Sequence, residues 1–375
     1  MKINNFKLER YFAQHEFTAK YLLSSSDCDG YAMNYVLEQA SAKELELWKK
    51  LTLGYTESEG HPLLRESVLQ YYNIDNIENV IVASPGELNF IAMNVLLQPN
   101  DHVIVVSPAY QSLSEVVKSL HCEVSYWQPN PITWEFDTEV LGRLVQHNTK
   151  LIVLNFPHNP TGAYLTRIQL DEIISIADQQ GAWIFSDEMY RKLIVGDMPE
   201  LPSVSDLYEK GISLWGTSKS FGLAGLRIGW MVARNIEFLR KVVAFKDYLS
   251  ICSSAPAEIL SIIALNHPEK FIQPNINKIK ANIELFADFV SQHRNLFSFV
   301  PPRAGSVAFV KINISGASLD FSNRLVEETG IMTVPAEMFE YPGKYLRIGF
   351  GRRSFPEVLG KLEEYLIQPG LVGQG

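Results

Sequence analysis

Residues 150–154, Lys-Leu-Ile-Val-Leu, most restrict what this chain can fold into. Four apolar side chains follow one another without alternation, so a strand here has no face to offer water. Such a strand belongs inside a sheet that is covered by helices on both sides. The flanking sequence supplies both parts. Apolar runs at 79–84, 102–106, 123–127, 182–186 and 212–215 read as further strands. Between them, 61–73, 85–97, 111–120 and 166–180 carry helical spacing. Thr166 and Gln169 form a capping-box pattern at the start of the last of these, and Gly181 marks its end. Regular βα alternation predicts an α/β fold with a mostly parallel sheet and helices on both faces. From about residue 280 the pattern changes to a long helix, short strands at 307–312 and 345–350, and a closing helix. The expectation is a large domain over 45–280 and a smaller α+β domain from 1–44 and 281–375.

The formal charge of −9 argues against a nucleic-acid surface. Cys28, Cys122 and Cys252 have neither metal spacing nor a pairing pattern, so no metal site is expected and a reducing compartment fits. The first twelve residues carry charges where a signal peptide needs an apolar run, and no segment has the length of a bilayer span. The expected location is the cytoplasm.

Ligands of open parallel sheets bind beyond the carboxyl ends of the strands. Three strands here end in polar residues of unusual kind. One runs into Asn155-Phe156-Pro157-His158-Asn159-Pro160-Thr161-Gly162, one into Asp187-Glu188-Met189-Tyr190, and one into Gly216-Thr217-Ser218-Lys219-Ser220. An amide, a carboxylate, a phenol and an amine can therefore converge at one edge. Taken singly, Asn159-Pro160 reads as a turn, Asp187 as a helix cap and Tyr190 as a core residue. Together with a lysine among small polar residues, and Arg227 eight positions on, they read as a site for a carbonyl-bearing, anionic cofactor. A lysine amine condenses with an aldehyde, and pyridoxal phosphate (PLP) carries both an aldehyde and a phosphate.

These segments resemble the fold-type I PLP enzymes, and most closely the class I and II aminotransferases. The resemblance also covers the segments SKSFGLAGLRIGW, YLRIGFGR and Gly54-Tyr55-Thr56-Glu57-Ser58-Glu59-Gly60. It implies the fold-type I architecture, with a large, mostly parallel sheet of the seven-stranded type and a smaller α+β domain. It implies that Lys219 holds PLP as a Schiff base and shifts a proton through a quinonoid intermediate, so that an L-amino acid passes its amino group to a 2-oxo acid. Asp187 would face the pyridine nitrogen, Asn159 and Tyr190 the ring hydroxyl, and Tyr110 the ring face. Gly86, Glu87 and Leu88 would offer backbone N–H groups to the phosphate from a helix start, with Ser218 and Arg227 beside them. Tyr55 would reach the phosphate from a neighbouring subunit, which implies a homodimer. Arg347 would clamp the substrate α-carboxylate, with Asn159 near it. The Asn159–Pro160 bond is expected to be cis.

Three departures from the family pattern stand out. Gly216 replaces a usual serine and removes a hydroxyl from the phosphate cup. Glu87 sits where a small residue is usual, so its side chain should turn away or meet a cation. Ser24-Ser25-Ser26-Asp27-Cys28-Asp29-Gly30-Tyr31 replaces a glycine-proline loop and is similar to capreomycidine synthase, which eliminates and cyclises. A lyase or cyclase on the same scaffold is thus the alternative to a transaminase. A DNA-binding regulator lacks its extension here, and a nucleotide-binding Rossmann enzyme lacks its G-x-G-x-x-G. The substrate side-chain pocket is expected to draw on residues 14–35, the partner subunit and the small domain. Phe17, Tyr21 and Tyr31 would make it aromatic, and Arg303 would meet a second anion; packing or surface roles fit these four equally.

Overall fold

The computed structural model describes residues 2–367; the end of the expected 281–375 segment, 368–375, lies outside them. Its centre is one seven-stranded sheet. The strands are β1 Val80–Ala83, β2 His102–Val106, β3 Glu123–Trp127, β4 Thr149–Asn155, β5 Trp183–Asp187, β6 Gly211–Gly216 and β7 Gly229–Ala233. They lie in the order β1-β7-β6-β5-β4-β2-β3. All are parallel except β7, which runs antiparallel to both neighbours.

The strands of the unbroken apolar runs are buried on both faces. Leu151 and Val153 pack in one apolar cluster with Phe185, Ile212 and Leu214. Ile152 and Leu154 point the other way, into a cluster with Phe136, Ile173 and Ala177. The two-residue period of a strand thus splits one apolar run between two helical layers. The helix Arg167–Gln180 carries the expected capping box at Thr166, and Gly181 ends it at φ 69°. β7 is the strand that periodicity did not separate from the glycine-rich motif before it. It returns beside β6 through residues 217–228, so this loop opens at the carboxyl end of β6.

A second, antiparallel sheet holds β8 Phe297–Ser298, β9 Val307–Ile312, β10 Val334–Pro335 and β11 Tyr345–Gly349, in the order β10-β11-β9-β8. The chain start is woven onto it. Helix α1, Lys7–His15, packs on this side through Leu8 and Tyr11. Tyr21 and Leu22 pair in parallel with Ile331 and Met332. The Gly349 N–H donates to Leu23 O at 2.8 Å, and the Ser306 hydroxyl donates to Ser26 O at 2.7 Å.

The approach at Gly349 is close enough that a Cβ there would collide with the Ser25 carbonyl. Gly349→Ala must therefore push the 24–27 segment off β11. We expect a loss of about 1–3 kcal/mol of unfolding free energy, the usual cost of overpacking, measurable by denaturant titration.

Candidate active site

The carboxyl ends of β4, β5 and β6 meet in register. Asn155 pairs with Asp187, and Asp187 with Leu214. The Asn155 side chain then acts as a latch. Its Nδ2 donates to Asp187 O at 3.2 Å, and its Oδ1 accepts from the Asn159 N–H at 3.1 Å. The intervening loop contains two cis peptides, Phe156–Pro157 and Asn159–Pro160, and Ser107–Pro108 beyond β2 is also cis. Over these ends lies a cavity of about 380 Å³.

Asp187 lines the cavity, fully buried, with Oδ1 accepting from the Met189 N–H at 3.1 Å. Burial pushes its carboxyl up to about 7, although the Met189 N–H and the Lys219 charge both favour the ionised form. Lys219 enters from the loop after β6, and its Nζ donates to Ser26 Oγ at 2.8 Å. The loop is pinned on several sides. Asn275 Nδ2 donates to Ser220 O at 3.1 Å, and the Ser220 hydroxyl bonds to Arg191 O. Gly222, at φ 68°, lets the chain pass under Asp29. Tyr190 and Ser218 also line the cavity. They are 3% and 5% exposed, yet neither hydroxyl has a hydrogen-bond partner.

Arg347 comes from β11 and is 1% exposed. Its Nε and Nη2 donate to Ser24 O at 3.2 and 2.9 Å, and its Nη1 to Asn159 Oδ1 at 3.3 Å. The Phe12 and Phe339 rings sit 5.6 Å from its guanidinium carbon. No carboxylate pairs with it among the described residues. Burial lowers its pKa, as expected of a cation held by neutral groups alone.

Other expected residues fall as follows. Tyr110 lines the cavity and donates to Glu9 Oε1 at 2.6 Å. Arg227 lines it too, at φ 56°, with Nη1 bonded to Ala224 O. Of the three residues at the start of helix α2, Pro85–Leu96, only Gly86 borders the cavity. The Leu88 N–H is spent within the helix on Ser84 O at 3.0 Å, and the Glu87 N–H reaches the capping Ser84 Oγ at 3.4 Å. Two of the three expected N–H donors thus have partners within the chain, in the N-cap and the first helical turn. The Glu87 carboxylate does turn away, accepting from the Ser250 hydroxyl at 2.6 Å. Gly216 is required by packing. A Cβ there would lie 2.9 Å from Gly229 Cα and from Ile228 O, where β6 and β7 run closest under Pro85.

Tyr55 does not line its own chain's cavity and is 88% exposed. Phe17, Tyr21 and Tyr31 stay outside as well; Tyr31 stacks on Tyr35 and meets Phe271 edge-on. Arg303 pairs with Glu135 at 2.9 Å beside a different cavity. Glu16 and Ser26 fall in the 14–35 stretch expected to supply the substrate pocket, whereas Glu9, Phe12 and Asn89 were not foreseen; all five line the site. A signal for three of them was present. Glu9, Phe12 and Glu16 fall at i, i+3 and i+7, one face of a helix.

Comparison with known proteins agrees with this geometry. The family model "Aminotransferase class I and II" matches residues 18–355. The chain is 28% identical to capreomycidine synthase of Streptomyces vinaceus, covering 92% of this chain and 88% of that one. It is 29% identical to an aspartate aminotransferase of Pyrococcus horikoshii, covering 83% of each. A solved PLP-dependent aminotransferase from Streptococcus suis superposes with a TM-score of 0.91 at 30% identity, covering 98% of both chains.

The raised Asp187 pKa has a consequence for stability. The folded protein holds this proton more tightly than the unfolded chain, so Asp187 favours folding below about pH 4 and that contribution disappears as pH rises through about 7. The difference in unfolding free energy between the cofactor-free protein and its Asp187→Asn variant should therefore move against the parent between pH 4 and pH 7. Urea titrations across that range check the sign.

Proposed function

From the premise that this chain belongs to the class I and II aminotransferase family and uses pyridoxal phosphate, we propose that it moves the amino group of an L-amino acid to a 2-oxo acid. The residues present fit the cofactor. Two orphaned hydroxyls, Tyr190 and Ser218, face the cavity. A buried carboxyl, Asp187, lies at its floor, and nothing stands within 4 Å of a Cβ placed on Gly86. Asp187 would pair with the ring nitrogen, Asn159 and Tyr190 would bond the ring hydroxyl, and Tyr110 would cover a ring face. Gly86, Ser218 and Arg227 would hold the phosphate. When bound, PLP supplies an aldehyde that accepts the amino group and an electron-withdrawing ring that acidifies the α-proton.

The protein's own part is binding and proton movement. Arg347 carries the reading. A fully buried guanidinium with no counter-charge, on the wall of a cavity that also holds a lysine, suits the α-carboxylate of an amino acid. Held there, the substrate presents its α-carbon toward Lys219. The Lys219 amine takes the proton from that carbon and returns it on the far side of the reaction. Ser26, at 2.8 Å from Nζ, orients the amine for both transfers. The same contact favours a second reading. Ser26 belongs to the serine-rich segment, and capreomycidine synthase is similar over most of the chain, so elimination or cyclisation after the same proton loss is the competing outcome.

A single-turnover experiment separates the two. PLP-loaded protein is mixed with amino acids and no 2-oxo acid. Transamination yields one equivalent of 2-oxo acid per site and no free ammonia. Continued release of ammonia or of a cyclised product identifies a lyase or cyclase. Lys219→Ala should abolish the lysine-dependent visible band. Arg347→Lys should lower kcat/KM by about a hundredfold, since a point charge cannot reproduce the fork.

The reading also includes a homodimer. Leu53, Tyr55 and Tyr248 are 87%, 88% and 90% exposed, with Leu249 and Ile251 half open beside them. Ser58 ties these two segments together by bonds to Asp247 Oδ1 and Ile251 O. So large an apolar patch suits a second copy, with Tyr55 of one copy reaching the phosphate of the other. Sedimentation should give a dimer, and Leu53→Asp combined with Tyr248→Asp should give a monomer with little activity.

A further inference from the structure

We propose that the amino acid taken by this site carries a cationic side chain, an amine or a guanidinium, held by Glu9 of the first helix and Glu16 at its C-cap while Arg347 holds its α-carboxylate. The inference rests on the aminotransferase-family reading above and narrows the substrate.

Glu9 and Phe12 of helix α1 and Glu16 at its C-cap all line the cavity that holds Lys219. Phe12, between the two carboxylates in the series, packs 5.6 Å from the Arg347 guanidinium carbon. The acidic face is therefore next to the place where an α-carboxylate would dock. That a ligand belongs here is shown independently by the buried, unpartnered hydroxyls of Tyr190 and Ser218 and by the unpaired Arg347.

The charges around the cavity can be assigned one by one. Lys219 and Arg227 would serve the cofactor's aldehyde and phosphate, and Asp187 its ring. Asp27 is taken by Arg352, which donates to both of its carboxylate oxygens at 3.1 and 3.0 Å. What remains is Glu9, with one bond from the Tyr110 hydroxyl, and Glu16, whose carboxylate has no hydrogen bond or ion pair among the described residues. Burial, together with the nearby Asp27 and Glu9 charges, makes the ionised form of Glu16 costly, a cost that an arriving cation would relieve. The cations that act on Glu16, Arg352 and Lys219, already have partners in Asp27 and Ser26, so a second carboxylate on the substrate would compete with them. Arg352 is engaged by Asp27, and Arg303 pairs with Glu135 beside another cavity. A plain aromatic side chain would leave two carboxylates desolvated and unmatched.

The test uses the PLP-loaded protein with L-arginine, L-lysine, their neutral counterparts L-citrulline and L-norleucine, and L-glutamate. Half-reaction rates are measured alongside equilibrium dialysis of labelled L-arginine and L-citrulline. Each cationic amino acid should exceed its neutral counterpart by tenfold or more in kcat/KM, with L-arginine retained over L-citrulline in dialysis and L-glutamate the poorest. Glu16→Gln should reduce the arginine-to-citrulline ratio by about tenfold, and Glu9→Gln with Glu16→Gln should reduce it further. Because Glu9 also holds Tyr110, the single Glu16 variant is the cleaner one, and an intact cofactor band confirms that its site has formed. Equal or greater use of L-glutamate or the neutral amino acids overturns the proposal. An unchanged ratio in the Glu16 variant, or PLP uptake with no response to any of the five, does so too. Failure to take up PLP at all overturns the functional reading itself.

Discussion

A guanidinium buried without a counter-charge governs the arrangement of this molecule. Arg347 stands on a strand of the small antiparallel sheet, yet it bonds to Asn159 in a loop of the large parallel sheet and to Ser24 in the chain start. Three separate parts of the chain thus meet on one side chain. Five N–H donors in a fixed plane make this possible, and burial makes each of those bonds costly to lose. Neutral acceptors satisfy the donors but leave the charge unanswered. That imbalance is tolerable in a site that is completed by an anion.

The same junction explains why the chain start enters the site. The 24–27 segment is held against β11 at Gly349 and by the Ser306 hydroxyl. Once there, it supplies Ser26 to Lys219 and Asp27 to Arg352. Helix α1, packed on the small sheet through Leu8 and Tyr11, brings Glu9, Phe12 and Glu16 over the carboxyl ends of the large sheet. The cavity is thus walled by the carboxyl ends of the parallel strands on one side and by residues of the chain start on another.

Local chemistry also accounts for the departures from the family pattern. Gly216 is a consequence of β6 and β7 running together under Pro85, where no side chain fits. Glu87 is harmless to an anion because Ser250 draws its carboxylate aside. Of Gly86, Glu87 and Leu88, only Gly86 borders the cavity, with Ser218 and Arg227 alongside.

The sequence by itself determined the layers of the fold and the lower half of the site. Unbroken apolar runs admit only doubly covered strands, and polar residues at the ends of neighbouring parallel strands have one edge to share, so Asn159, Asp187, Tyr190 and Lys219 were legible before any coordinates. Helix caps such as Thr166 and Gly181 were legible for the same reason, being local hydrogen-bond and φ requirements. Only the tertiary structure decided the rest. β7 runs against its neighbours, Ser26 meets Lys219 across 193 positions, and Glu9 and Glu16 share a cavity with Arg347 from the far end of the chain. Such contacts have no local period or spacing to announce them. They exist because burying the chain start on the small sheet brings distant residues together.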